Sequence, residues 1–275
     1  VCMELIEILK VVVLGIVEGV TEWLPISSTG HMLLVDEFIH MNVSESFKDM
    51  FFVVIQLGAI LAVVMLFWDK MWPFQTKDKS KPVIRKDVFS MWFKVVVACI
   101  PGAIVTLLFD DYIEAHLHTP AVIALALVVY GVAFIVIENW NKNRTPKVLS
   151  LEDISYKTAF IIGLFQVLSI IPGTSRSGST IIGALTIGVS RVAAAEFTFF
   201  LAVPVMIGLS FIKILKFGFD FTSVELMTLA IGCVVAFLVS VLVIKFLMSY
   251  IKKRDFKIFG WYRIVLGVIL LLYFM

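Results

Sequence analysis

Two short segments concentrate the residue types that handle phosphate and metal ions. In the first, Glu18 and Glu22 stand four residues apart, just ahead of ISSTGH (26–31) with Ser27, Ser28 and His31. On a helix that spacing puts both carboxylates on one face. Hard oxygen ligands of this kind suit a divalent cation, and one carboxylate remains free to act as a base. In the second segment, PGTSRSGST (172–180), Gly173, Thr174, Ser175, Arg176, Ser177, Gly178, Ser179 and Thr180 precede an apolar stretch. Glycines and hydroxyls ahead of a helix leave unpaired N–H groups and the positive end of the helix dipole in the loop, which makes an anion site. Arg176 adds a planar fork that takes two phosphate oxygens at once.

His31 is a candidate nucleophile or proton donor, and Ser28 is the rival nucleophile, with Glu22 or His31 as its base. Each has a purely structural alternative: hydroxyls as helix N-caps, His31 as a polar cap, and a carboxylate paired with Arg176 only to neutralise it. A polyanionic head group on an apolar tail fits the combined set best.

The elements that position these residues are membrane helices. The chain has 275 residues, 60% hydrophobic and 16% charged, with 24 Phe and 6 Trp, and a mean hydropathy of +1.02. That is more apolar side chain than a globule of this size buries, so the excess faces lipid. A formal charge of +2 argues against a nucleic-acid partner. Cys2, Cys99 and Cys233 show no metal pattern and read as free thiols. Glu4 and Glu7 open the chain where a cleavable leader would carry positive charge. A homodimer is compatible with the composition.

Six stretches are long enough to cross a hydrocarbon core: about 49–68, 88–109, 120–138, 192–215, 223–249 and 258–275. Two further apolar regions, 4–40 and 158–190, are interrupted by Pro, Gly, Ser and Thr, and each reads as two half-helices joined by a loop. The expected fold is therefore an all-α polytopic membrane protein with six full spans and two re-entrant helix-loop-helix pairs, about ten helical segments. Lys70, Lys77, Lys79, Lys81, Arg85 and Lys86, then Lys142, Arg144, Lys147 and Lys157, then Lys252, Lys253, Arg254 and Lys257 crowd three of the connecting loops. Asp110, Asp111 and Glu114 mark an acidic one. The positive-inside rule makes the three basic loops cytoplasmic. The alternation closes only if the first broken region dips in from outside and the second from the cytoplasm.

Shifting the chain by 148 residues pairs Gly15 with Gly163, Glu18 with Gln166, Ser27 with Ser175, Gly30 with Gly178 and Phe51-Phe52 with Phe199-Phe200. Each copy crosses an odd number of times. The expectation is one integral membrane domain (1–275) built as an inverted repeat, with copies at about 4–138 and 158–275 and a cytoplasmic linker at 139–157. Irregular backbone survives at membrane depth only inside protein or against a water-filled cavity. The two broken loops should therefore meet in the bundle. Lys94 and Lys245 read as snorkelling side chains, Glu196 as a structural carboxylate in a first helical turn, and His40, His116 and His118 as external residues without ligand partners.

EGVTE (18–22) with WLPISSTGH (23–31), and PGTSRSGST (172–180), resemble the two motifs of the undecaprenyl-diphosphate phosphatase family, the bacterial bacitracin-resistance phosphatases. The likeness runs over essentially the whole chain. It implies hydrolysis of undecaprenyl diphosphate to undecaprenyl phosphate and inorganic phosphate, which recycles the lipid carrier of cell-wall synthesis. It also implies a divalent cation, Mg2+ or Ca2+, and a multi-pass place in the bacterial plasma membrane with the site open to the outer face. Carried over by position, Glu18 and Glu22 are the acidic, metal-holding pair, with Glu22, Ser28, His31 and Arg176 catalytic; the attacking group is Ser28, His31 or a water activated by Glu22. Ser27, Gly173, Thr174, Ser175, Arg176, Ser177 and Thr180 hold the diphosphate. A lipid flippase or secondary transporter is the alternative, because inverted repeats with broken helices belong to that architecture. The other class of membrane phosphatase needs a downstream histidine, and none follows His118.

Overall fold

The computed structural model describes residues 4–75, 82–117 and 119–274. Cys2, Lys77, Lys79, Lys81 and His118, and the side chains of Asp110, Asp111 and Glu114, lie outside the described residues. The helices are α1 (Leu5–Thr21), α2 (Ser28–Phe38), α3 (Glu45–Val54), α4 (Gln56–Leu66), α5 (Trp68–Met71), α6 (Lys86–Leu117), α7 (Pro120–Asn141), α8 (Tyr156–Val167), α9 (Arg176–Thr186), α10 (Arg191–Phe217), α11 (Ser223–Ile251) and α12 (Lys257–Phe274). Six are long and apolar enough to span a membrane once α3 and α4 are taken as one run, Glu45–Leu66. The remaining long elements, α1, α2, α8 and α9, are the four half-helices, and α5 is a single turn. This is an all-α, multi-pass membrane protein.

Short polar side chains set where the helices begin. Ser44, Thr119, Ser155 and Ser190 accept from the backbone N–H three residues on, and Thr222 forms a capping box with Glu225. Pro120 follows its cap at the first helical position, where a missing N–H does no harm. The linker expected at 139–157 is shorter in the structure, because α7 continues to Asn141 and α8 starts at Tyr156.

Both broken segments are re-entrant, and they enter from opposite ends. Lys10 Nζ donates to His40 O (2.7 Å) and Asn42 N to Glu7 Oε2 (3.2 Å), so the start of α1 and the exit from α2 share one end. Lys147 N donates to Gly188 O and Ser190 N to Val148 O (both 2.8 Å), tying the approach to α8 to the exit from α9. The Glu45–Leu66 run separates these two ends. Lys48 near its start pairs with Asp36 (2.9 Å), whereas Lys70 beyond its finish pairs with Glu196 (2.7 Å) at the beginning of α10.

Helix contact in lipid depends on close backbone approach more than on burial of apolar surface. Glycines supply that approach here. A Cβ on Gly163 of α8 would lie 2.4 Å from Ala98 O of α6, and one on Gly15 of α1 would lie 3.0 Å from Gly232 O of α11. Helices α7 and α12 meet at Gly131 and Gly260, where a Cβ on either would sit 2.7 Å from the other's carbonyl. Trp23, Phe134, Phe199 and Phe200 fill the interior, while Leu107 (78% exposed), Leu242 (69%) and Leu272 (81%) face outward, as a lipid-solvated surface requires.

Gly163→Ala drives a methyl group into the α6 backbone and should destabilise the protein by about 1–3 kcal/mol. Gly208→Ala, where an added Cβ meets nothing within 4 Å, should be neutral or slightly stabilising. Thermal unfolding of the two variants in detergent checks the contrast, and equal midpoints would contradict the packing.

Candidate active site

Both breaks end on a serine in the left-handed region, Ser27 (φ 76°) and Ser175 (φ 71°), the two positive-φ non-glycine residues among those described. Such conformations cost of order 1–3 kcal/mol each and persist where the surroundings impose them. Here each serine caps the helix it precedes. Ser27 Oγ accepts from Gly30 N (3.3 Å) and Ser175 Oγ from Gly178 N (3.1 Å), and α2 and α9, eleven residues each, start immediately after. The loops thus deliver two helix N-termini, each with a positive dipole end and unpaired N–H groups.

One carboxylate joins them. Glu22, just past the end of α1, accepts from Ser28 Oγ at Oε2 (2.6 Å) and from Arg176 Nη2 at Oε1 (2.9 Å), across a sequence separation of 154. Its main-chain oxygen accepts from Ser177 Oγ (3.2 Å). Arg176 Nη1 donates to Thr198 O (3.0 Å), and its Nε is buried without a partner among the described residues. One turn back, Glu18 is 1% exposed, and its Oε1 also has no hydrogen-bond partner there. The two segments singled out by their chemistry do come together, and Ser28, Ser175 and Arg176 are the partly exposed members of the cluster.

His31 is arranged differently from the pairing with Ser28 considered above. Its Nδ1 lies 2.7 Å from Ser27 O and its Nε2 2.7 Å from Tyr262 Oη, with the two rings stacked at 5.6 Å. A carbonyl oxygen only accepts, so Nδ1 carries the proton and the Nε2 of the neutral ring accepts from Tyr262. Ser28 therefore donates to Glu22, and His31 is turned to Tyr262 instead. Thr174 Oγ1 bonds the main chain at Ile171 O (2.8 Å) and Leu168 O (3.0 Å). Thr180 Oγ1 lies 2.9 Å from both Arg176 O and Thr198 Oγ1. Both threonine hydroxyls shape the loop and its helix. Gly173, at φ 91°, leaves room that a Cβ would not: it would sit 2.6 Å from Ile123 O.

Three participants escaped sequence reasoning: Tyr262, Thr198 and Arg263. Thr198 and Tyr262 look like ordinary residues of apolar spans and carry no local signal. Arg263 did carry one, as an ionisable residue in the middle of a span. It is fully buried and donates to Pro25 O, Gly173 O and Thr174 O. Away from the site, Glu196 holds Lys70 through both oxygens (2.7 and 2.8 Å), a structural part. Lys94 reaches Glu152 O (3.3 Å) outside its span. Buried Glu138 accepts from Arg191 Nε and Phe256 N (both 2.9 Å), locking α7, α10 and the start of α12 at the end opposite α2.

The chain is matched over nearly its whole length by known proteins. Residues 11–269 fit the family described as bacitracin resistance protein BacA. The chain belongs to that family. It is 74% identical over 270 residues to a protein of Enterococcus faecalis named Undecaprenyl-diphosphatase, covering 98% of each chain. It is 62% identical over 273 residues to proteins of the same name from Desulfitobacterium hafniense (99% of this chain, 98% of the relative) and Lachnoclostridium phytofermentans (99% of each).

Glu22→Gln leaves the largely buried Arg176 without its hydrogen-bonded countercharge, the side chains of Glu22 and Arg176 being 6% and 10% exposed. The loss should be about 3–5 kcal/mol, read as a lower unfolding midpoint in detergent. Inorganic diphosphate should restore more of it in the variant than in the wild type. An unchanged midpoint would mean that the pair contributes nothing.

Proposed function

We propose that this protein hydrolyses undecaprenyl diphosphate to undecaprenyl phosphate and inorganic phosphate, recycling the lipid carrier of cell-wall synthesis. Membership of the BacA family and the shared name of its relatives support the activity. The observation that carries the mechanism is the Ser28–Glu22–Arg176 bridge, a hydroxyl and an anion-binding fork on one carboxylate.

The diphosphate occupies the space between the two helix N-termini, held by loop N–H groups, Ser175 and Arg176. Arg176 turns its fork from Glu22 to the phosphate oxygens, and its unpartnered Nε adds a third donor. Ser28 Oγ passes its proton to Glu22 and attacks the terminal phosphorus. A bond forms from Oγ to phosphorus, the bond to the bridging oxygen breaks, and undecaprenyl phosphate leaves with that electron pair. Water then attacks the phosphoserine, its proton going to His31 Nε2 once Tyr262 releases that nitrogen. The bond from phosphorus to Oγ breaks, Ser28 recovers its proton from Glu22, and inorganic phosphate departs with the proton that His31 held, which returns the ring to its starting state. Positioning and charge neutralisation supply most of the rate, as in phosphoryl transfer generally.

The residues present fit a divalent cation, Mg2+ or Ca2+. Glu18 brings a buried carboxylate oxygen with no other partner one turn from Glu22, and the described residues hold no cluster of three or more His, Cys, Asp or Glu side chains. Two carboxylates completed by diphosphate oxygens and water make a normal set for a hard cation, which when bound neutralises charge on the transferring phosphoryl group. By the positive-inside rule, the end bearing Lys142, Arg144, Lys147, Lys252, Lys253 and Arg254 is cytoplasmic. The first re-entrant pair, with Glu22 and Ser28, then enters from the outer face.

Phosphate release from undecaprenyl diphosphate in detergent tests this reading. The wild type should be active and silenced by EDTA, and Ser28→Ala, Glu22→Gln, His31→Ala and Arg176→Ala should each lose about 10²–10⁴-fold in kcat. Full activity in Ser28→Ala would move the attack to a water molecule activated by Glu22. No release by the wild type would overturn the activity and favour the transporter reading.

A further inference from the structure

We propose that Arg263 is a positioning residue that keeps the two re-entrant loops in register while their direct contacts are exchanged for substrate. The inference rests on the diphosphatase reading of the site. Arg263 is 0% exposed at the centre of the bundle. All three of its guanidinium nitrogens donate to main-chain carbonyls. Nη1 reaches Pro25 O (3.1 Å), ahead of Ser27 and Ser28. Nη2 reaches Gly173 O (2.8 Å) and Thr174 O (3.0 Å), ahead of Ser175 and Arg176, with Ala126 O at 3.5 Å, and Nε lies 3.5 Å from Leu127 O. One side chain on α12 thus holds both breaks and anchors them to α7. Its Cζ also lies 5.5 Å from the centre of the Tyr130 ring, and it has no carboxylate partner among the described residues.

Only arginine suits this place. Its rigid fork of five donors serves carbonyls arriving from three directions, whereas lysine brings three donors to one point. The fold also reserves space for the fork, since a Cβ on Gly178 would stand 3.2 Å from Arg263 Nη1.

The need for such a tie follows from the mechanism. The side-chain links between the loops are Arg176 to Glu22 Oε1 and Ser177 to Glu22 O. The first of these opens when the diphosphate takes the arginine fork. Arg263 donates only to main-chain oxygens among the described residues, which the substrate does not compete for, so its link persists through the exchange. It therefore sets how far Ser28, on the first loop, stands from a phosphate held on the second. The Thr174 carbonyl points at Arg263, and the trans peptide turns the Ser175 N–H to the opposite side, so the buried cation also polarises a donor of the anion loop.

Arg263→Lys separates register from fold and from binding. The expected result is folded protein with KM within about three-fold of wild type, because the second loop still binds. The kcat should fall about 10²-fold, the penalty for displacing reacting groups by about an ångström. Hydrogen exchange should rise together in peptides covering 24–31 and 172–178, with 223–251 unchanged. A raised KM at unchanged kcat would overturn the proposal by making Arg263 a direct diphosphate ligand. Unchanged kcat per folded molecule, or faster exchange in one loop alone, would reduce it to a packing residue. If Arg263→Lys does not fold, Gly178→Ala, which crowds Nη1, carries the same comparison: faster exchange in both loops with lower kcat supports the tie, and a change confined to 172–178 overturns it. If the wild type releases no phosphate, the diphosphatase reading fails, while the exchange measurement still decides whether Arg263 couples the loops.

Discussion

Lipid offers no hydrogen-bond partners, so a helix interrupted at membrane depth must have its freed N–H and C=O groups satisfied by the protein itself. This chain interrupts two helices, and much of its interior answers that requirement. Ser27 and Ser175 take strained conformations and cap the helices that follow. Thr174 closes its loop on Leu168 O and Ile171 O, and Arg263 collects carbonyls from both breaks. Entry from opposite ends brings the two breaks together, where Ser177 Oγ donates to Glu22 O. The same geometry brings the first residues of two helices, Ser28 and Arg176, to one carboxylate, and helix N-termini favour anions.

Charge inside the bundle is arranged in two tiers. The Glu22–Arg176 pair is largely buried, and such pairs repay their desolvation only with good geometry and further hydrogen bonds. Ser28, Ser177 and Thr198 provide those bonds. A pair balanced in this way can be opened by an anion that offers the arginine an equivalent partner, which suits a site that must admit a diphosphate. Arg263 is the second tier, bonded to main chain alone and outside that competition. At the far end, Glu138 with Arg191, and Glu196 with Lys70, fix spans without facing the loops. Ionisable residues in the membrane thus do two jobs here, and their partners tell the jobs apart.

Much of the candidate site was legible because the chemistry of anions and hard cations draws on few residue types. Glu18, Glu22, Ser28, Arg176 and the glycine-hydroxyl loop stand out against a 60% hydrophobic background. Their meeting followed from the rule against irregular backbone in lipid. Direction was harder to read: His31 reaches Tyr262, 231 residues away, and the Thr174 and Thr180 hydroxyls turn to main chain. Hydroxyls and imidazoles bond to whatever the fold brings near, and sequence spacing carries that information only within a helical turn.

By itself the sequence determined the six spans, the two breaks and the stock of reactive side chains, since span length, loop charge and helix-breaking residues act locally. The tertiary structure alone decided that Glu22 serves Ser28 and Arg176 at once, that His31 answers to Tyr262, and that an arginine near the chain's end holds both loops. Those pairings join residues more than a hundred positions apart or depend on the rotation of one helix against another. Helix rotation in lipid is set by close glycine contacts such as Gly131 with Gly260, and no local pattern encodes which glycine meets which.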